Sequence, residues 1–208
     1  MLAMPISSSD EAKPSGASGV SSGGFAFIIH NSTAQAGLKI VSHIGTPPQA
    51  PPVFSSISQA LEPKVTLFQA FPNPSSILAT GSSNNFTLRG QPGTIKHSSL
   101  SGKYAIESSL GTFKWVDDSL SLAGDGEHLL LKDTSGRKLA RLGKASSKER
   151  FAKGDMKLEI YVAGDDYLTE LMVLTSILIA PLAETSSKES AEGVKAAFEV
   201  IGVLAGMN

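Results

Sequence analysis

The sequence has no cysteine, a small charged fraction and no strong excess of either charge. Without cysteine, a disulfide framework, a cysteine-based zinc site and a cysteine nucleophile are all excluded, and a reducing compartment is compatible with the chain. Lysine and arginine number 18 against 19 aspartate and glutamate, a formal net charge of −1. A protein whose whole surface binds nucleic acid would carry a clear basic excess, so no nucleic-acid partner is expected. Any charge-based function must therefore come from local clustering.

Signals for secretion and membrane insertion are also lacking. The first residues, MLAMPISSSDEAKPSG, have neither the basic start nor the apolar run of a signal peptide, and Leu2 stands where a myristoylated chain has glycine. The most apolar run, residues 171–180, would rise only about 15 Å as a helix, half the thickness of a bilayer core. We therefore expect a cytoplasmic protein whose apolar run is a buried core helix.

Most of the sequence consists of short apolar runs separated by turn residues. Residues 1–24 are rich in serine and glycine without periodicity, which predicts a disordered tail. Between residues 25 and 183, runs of β-branched and aromatic residues recur at a spacing near ten, which predicts a single antiparallel β-sandwich or β-barrel domain. Five prolines between Pro47 and Pro63 predict an extended surface connection, and a proline-rich run is also a ligand type for aromatic grooves. The runs are FAFII, LKIVSHI, VTLFQAF, SILAT, NFTLRG, GTIKHSSL, GTFKWVDDSLSLAG, EHLLLKD, RKLARLGK and DMKLEIYVAG.

Two segments near the C-terminus have helical patterns instead. Asp165, Asp166 and Tyr167 form a helix start, and the following residues 168–180 are apolar on all sides, which predicts a helix buried all round. Residues 184–208 carry one apolar stripe at spacings of three and four, which predicts a second, amphipathic helix. That helix would pack on the outside, close one end of the domain or mediate self-association. The stripe consists of Val194, Ala197, Phe198, Ile201 and Leu204.

An antiparallel β-shell followed by an all-round apolar helix is an unusual order of elements. It resembles the tubby C-terminal-like superfamily, and within that superfamily it is most similar to a fungal family of unknown function. Phospholipid scramblases and plant LURP-one-related proteins are similar to the same superfamily. The resemblance covers residues 25–183 and implies a β-barrel wrapped around a central helix. Tubby proteins bind phosphoinositide headgroups, which the resemblance adds as an expectation. The matching residues are Thr66-Leu67-Phe68, Phe113-Lys114-Trp115, Leu129 to Asp133, Ser135-Gly136, Leu139-Ala140-Arg141, Gly154, Lys157 to Ile160 and 168–180.

Catalytic and metal-binding signatures are not found. There is no phosphate loop, no dinucleotide fingerprint and no GxSxG elbow, so the chain is expected to be non-enzymatic and to need no cofactor. The four histidines are too far apart in sequence to support a local metal site, and the acidic pair Asp117-Asp118 indicates a turn. Trp115, the only tryptophan, is expected in the core or at its rim. The histidines are His30, His43, His97 and His128.

One local charge cluster stands out between residues 132 and 157. This segment contains nine basic and three acidic residues, an excess of six positive charges in a chain of net charge −1. If the segment forms a hairpin, several of these side chains share a face that can attract phosphate groups of anionic lipids. The alternative is a solvated hairpin edge on which lysines discourage aggregation. The predicted ligand-binding residues are Lys132, Arg137, Lys138, Arg141 and Lys144.

Three hypotheses for function are compatible with the sequence. The first is a non-enzymatic module that binds anionic phospholipid or phosphoinositide headgroups at a membrane surface. The second is a protein-interaction or structural domain that acts through the C-terminal helix or the proline-rich segment. The third is an enzyme of unrecognised type, which would need a polar pocket with perturbed titrating groups.

Overall fold

The structure, a computed structural model, describes residues 24–47, 49–59, 64–98, 103–118, 128–163 and 165–182. These residues form twelve strands, one short 3-10 helix (Pro74–Ser76) and one α-helix, α1 (166–182). The predicted N-terminal tail and the predicted amphipathic helix at 184–208 lie outside the described residues, apart from Gly24. The strands are β1 (Phe25–Asn31), β2 (Leu38–His43), β3 (Phe54–Ser58), β4 (Val65–Gln69), β5 (Ile77–Gly81), β6 (Asn85–Leu88), β7 (Gln91–Ser98), β8 (Lys103–Ser108), β9 (Gly111–Asp117), β10 (Leu129–Asp133), β11 (Lys138–Lys144) and β12 (Met156–Ile160).

The twelve strands close into an antiparallel barrel. Each strand pairs with its neighbour in sequence, and β1 also pairs with β12, so that Phe25 lies opposite Ile160. Closure leaves none of these strands as an exposed edge. The mainly β architecture with an α-helix that the sequence predicts is confirmed, and it takes the form of a barrel.

Two strands were not predicted. The first, β3, lies within the proline-containing span that predicted a surface connection, and its residues Phe54, Ser55 and Ser56 are buried. The connection is therefore shorter than expected and ends before residue 54. The second, β8, alternates buried Tyr104 and Ile106 with more exposed neighbours, so it presents only two large apolar side chains to the core.

Helix α1 begins where the sequence predicts. The Asp165 side chain accepts a hydrogen bond from the backbone N–H of Leu168 at 2.8 Å, which caps the first turn. All residues from 170 to 179 are buried, as an all-round apolar helix requires. Within the described part of the chain, no helix is both long enough and apolar enough to span a membrane.

Side chains of α1 belong to the same apolar core as the inward-facing side chains of the strands. Trp115 on β9 is fully buried and donates a hydrogen bond from Nε1 to Oγ1 of Thr175 at 3.1 Å. A Cβ atom on Gly81 would lie 2.9 Å from Cδ1 of Leu178, so glycine permits the close approach of β5 to the helix. The helix contributes Leu171, Met172, Val173, Leu174, Ile177, Leu178 and Ile179 to this core.

Because successive strands alternate in direction, the connections fall at two opposite ends of the barrel. The proximal end, as we name it, carries the turns at 89–90, 109–110 and 134–137 and the start of α1. There Arg89 donates two hydrogen bonds to the carboxylate of Glu170, at 2.8 and 2.7 Å. The distal end carries the connections at 82–84 and 145–155.

Candidate functional site

A cleft of about 560 Å³ lies at the distal end, between the outer face of β11 and β12 and the loop 145–155. Leu142 and Leu158 are paired across these strands and belong to the core. Their neighbours Arg141 and Lys157 therefore point to the outside of the barrel, because side chains alternate along a strand. The cleft is lined by His128, Arg141, Gly143, Lys144, Ala145, Ser146, Ser147, Glu149, Arg150, Lys157 and Glu159.

The loop 145–155 is held in place by the buried carboxylate of Asp155. Its Oδ2 atom accepts hydrogen bonds from the backbone N–H groups of Phe151 and Ala152, both at 2.7 Å. The N–H of Ala145 in turn donates to the carbonyl of Asp155 at 2.9 Å. These bonds join the two ends of the loop, so the side chains between them are presented from a defined backbone.

The floor of the cleft is an ion-pair network around Lys157. Its ammonium group lies 2.8 Å from Glu149 and 2.9 Å from Glu159. Burial alone would lower the pKa of Lys157, but the hydrogen bonds to the two carboxylates outweigh it and the pKa is raised. The hydrogen bond from Lys157 is also the main cause of the lowered pKa of Glu149, followed by the bond from the Ser146 hydroxyl. Lys157 and Glu149 thus remain charged across neutral pH and tie the loop to β12.

One wall of the cleft depends on a glycine. The imidazole of His128 lies against the backbone of Gly143, and a Cβ atom at residue 143 would overlap its Nδ1 atom. The absence of a side chain at Gly143 therefore admits the His128 ring. Next to it, Arg141 lies 3.5 Å from the carboxylate of Asp118, which follows β9.

Two exposed cations complete the cleft. Among the described residues, neither Lys144 nor Arg150 makes an ion pair, and both line the cleft. The lining contains four lysine or arginine side chains and the two carboxylates of Glu149 and Glu159, an excess of two positive charges. The arrangement is suited to an anion: Lys157 is neutralised in the floor, while Lys144 and Arg150 remain available to a phosphate or carboxylate.

The five residues predicted from the sequence are divided between the two ends of one hairpin. Arg141 and Lys144 line the cleft. The other three, Lys132, Arg137 and Lys138, lie at the proximal end, and Lys138 is separated from Lys144 by the length of β11, about 20 Å at the rise of a strand.

At the proximal end, the charge of Arg137 is already engaged. Arg137 pairs with Asp133 at 3.1 Å. The pKa of Asp133 is lowered chiefly by the hydrogen bond from the Ser135 hydroxyl, with further hydrogen bonds from Arg137. The turn is therefore a self-contained motif.

Several cleft residues were not selected from the sequence. Arg150 and Lys157 belong to the basic run between residues 132 and 157, which was the available signal, but the run does not tell which members share a face. His128, one of the four histidines that lie far apart in the sequence, directly precedes β10 and lines the cleft. Within the described ranges, no three histidine, aspartate or glutamate side chains gather as a candidate metal site.

Comparison with known proteins adds no relative to this description. No family model, curated protein or solved structure matches the chain. Membership of the tubby-like superfamily therefore stays a prediction, and the functional proposal depends on the cleft itself.

Proposed function

We propose that the protein is a non-enzymatic binding module whose distal cleft takes the phosphate-bearing headgroup of an anionic phospholipid or phosphoinositide. The observation that carries the proposal is the pair Lys144 and Arg150, both lining the cleft and neither in an ion pair within the described residues. Guanidinium and ammonium groups are the usual partners of phosphate oxygens. The available volume of about 560 Å³ is in the range of small-molecule sites.

The fold supports the same proposal more indirectly. We infer that the barrel wraps around α1, since the helix residues 170–179 are all buried and Trp115 and Gly81 contact Thr175 and Leu178 from different strands. A closed barrel around a helix is the arrangement that the resemblance to the tubby-like superfamily implies. A headgroup site on such a barrel would lie on its outer surface, because the interior is filled with side chains.

Electrostatics sets the size of the expected effect. Each lysine or arginine near an anionic membrane surface contributes about 1 kcal/mol. Removing both Lys144 and Arg150 should therefore weaken binding by about 2 kcal/mol, or roughly 30-fold. Because the attraction is screened by salt, it should be largest at low ionic strength.

The test compares two variants that remove the same charge at different ends of the barrel. The variant K144A/R150A empties the cleft of its two available cations, whereas the control K132A/K138A removes two lysines at the proximal end. Both are measured by co-sedimentation with vesicles that contain or lack phosphoinositide, at low and at near-physiological salt. The cleft variant should lose binding and the control should retain it.

The opposite results are equally clear. Equal losses in the two variants would show that overall charge, not the cleft, attracts the lipid. If the wild-type protein does not bind vesicles even at low salt, the lipid proposal is wrong.

A second candidate function is a protein-interaction domain that acts through the proximal end. The observation in its favour is a set of exposed large apolar side chains at that end: Phe71, Ile77, Leu110 and Tyr161. The proline-rich connection between β2 and β3 lies at the same end. The predicted C-terminal helix at 184–208 is the other candidate surface. A chain truncated after residue 183 and a wild-type chain should differ in oligomeric state by light scattering if that helix mediates self-association.

A further inference from the structure

The loop beside the cleft exposes an aromatic side chain among cations. Phe151 is 44% exposed, which is unusual for a phenylalanine. Lys148, Arg150 and Lys153 surround it in the sequence and are exposed as well. A basic surface with one protruding aromatic residue is the composition of a membrane-interface contact, since the ring enters the headgroup region while the cations meet lipid phosphates.

We propose that the protein docks on an anionic lipid bilayer with its distal end, inserting Phe151 into the headgroup region next to the headgroup held in the cleft. This inference rests on the proposed headgroup-binding function and adds the orientation of the barrel on the membrane. The occupant of the surface is the bilayer itself, not a soluble phosphate compound.

Charge distinguishes the distal segment 144–157 from the described turns of the proximal end. Residues 144–157 contain five lysine and arginine side chains and two carboxylates, an excess of three positive charges. Both carboxylates are engaged inside the protein, Glu149 with Lys157 and Asp155 with backbone N–H groups. The distal loop therefore presents its positive charge outward, as an anionic surface requires.

The proximal end exposes more apolar side chains but has no such excess. Arg89, residues 132–138 and residues 165–170 at the start of α1 together carry four cations and four carboxylates. Two of the cations, Arg89 and Arg137, are paired with Glu170 and Asp133. This balance of charge gives the proximal end no net attraction to an anionic membrane. The cations are Arg89, Lys132, Arg137 and Lys138, and the carboxylates are Asp133, Asp165, Asp166 and Glu170.

Phe151 is also held in position before any contact with lipid. Its backbone N–H is fixed by Asp155 at 2.7 Å. Its ring centroid lies 5.0 Å from that of His30 on β1, in an edge-on arrangement. Binding through a pre-positioned side chain loses less conformational entropy than ordering a mobile loop.

The experiment places a fluorescent reporter at each end of the barrel. Trp115 is fully buried and gives both variants the same background, so a second tryptophan reports on its own surroundings. F151W tests the distal end, and F71W is the matched control, since Phe71 is 58% exposed at the proximal end. The vesicles contain phosphoinositide and lipids brominated on their acyl chains. We expect a blue shift and quenching for F151W and neither for F71W.

A truncation separates membrane insertion from headgroup binding. F151A should weaken vesicle binding about tenfold, because interfacial affinity scales with buried apolar area. Its affinity for a water-soluble inositol phosphate, measured by calorimetry, should be unchanged.

Each other outcome overturns the proposal. Quenching in the F71W protein instead of the F151W protein would reverse the orientation. Vesicle binding that quenches neither variant would leave the cleft function in place and refute insertion. Binding of the soluble inositol phosphate without vesicle binding would refute both insertion and the lipid function, and would leave a cleft that takes soluble phosphate compounds. Absence of both kinds of binding would refute the cleft function together with the insertion.

Discussion

Replacing Thr175 by valine should destabilise the protein by about 2 kcal/mol although the side chain keeps its shape. The Thr175 hydroxyl accepts the hydrogen bond of Trp115 Nε1 at 3.1 Å, and both residues are almost completely buried. Valine replaces the hydroxyl with a methyl group of similar size and leaves the indole N–H without an acceptor. A buried donor that loses its partner costs about 1–3 kcal/mol.

Thr175 has a second hydrogen bond, which contributes less to this estimate. Its hydroxyl donates to the carbonyl of Leu171 at 2.8 Å. That carbonyl is one helical turn earlier, so it keeps its regular bond within the helix when the hydroxyl is removed. The expected loss therefore comes mainly from the indole.

A double-mutant cycle with W115F isolates the indole contribution. Phenylalanine removes the donor, so T175V should cost little in the W115F background. The coupling energy between the two positions should be about 1–2 kcal/mol. Urea unfolding of all four proteins, followed by circular dichroism because W115F lacks the fluorophore, gives the four free energies of unfolding. If T175V costs the same with and without Trp115, the hydrogen bond is not the source of the loss.

Two further predictions concern charged and titrating groups at the proximal end. R89M should lower the free energy of unfolding by about 2 kcal/mol in urea titrations, because it leaves the carboxylate of Glu170, which is only 4% exposed, without its ion-pair partner. The double variant R89M/E170Q should recover part of this loss, because it removes the unpaired charge. Partial burial of Tyr161, which is still 36% exposed, and next the charge of Glu159 raise its pKa to about 12 from its ordinary value of 10.0. The fold thus favours the neutral phenol, so this contribution to stability is complete below pH 10 and is lost as the pH rises toward 12. The urea midpoint of wild type should fall more between about pH 9 and pH 11 than that of Y161F, and equal falls would contradict the assignment.

Local pattern was sufficient to predict most of the strands and the helix. FAFII, VTLFQAF and the run from Leu129 are dense in β-branched or large apolar residues, and Asp165 caps a helix that is apolar all round. Two strands escaped prediction because β3 is surrounded by prolines and β8 carries only two large apolar side chains. The pairing of the first strand with the last, which closes the barrel, could not be predicted from the residues of either strand. The pairing of β1 with β12 joins positions that no local pattern connects.

The candidate site was predictable in composition but not in geometry. The basic run between residues 132 and 157 contains four cations of the cleft, including Arg141 and Lys144. The sequence does not show that β11 separates Lys138 from Lys144. Nor does it show that a buried Asp155 folds the loop against β12, because that depends on backbone N–H groups, which nearly every residue has. Arg150 reaches the cleft only through this folding, whereas Lys157 lies there because of its position on β12.

The closed barrel also constrains when the chain can fold during synthesis. Phe25 needs Ile160 as its pairing partner, and the buried Trp115 needs Thr175 on α1. A growing chain that ends near residue 120 has made nine strands but lacks both the closing strand and the core helix. Its inward-facing side chains would meet solvent, and β1 would be an open edge that can pair with another chain. Such long-range partners make folding slow, so we expect the barrel to close only after β12 and α1 have both been made.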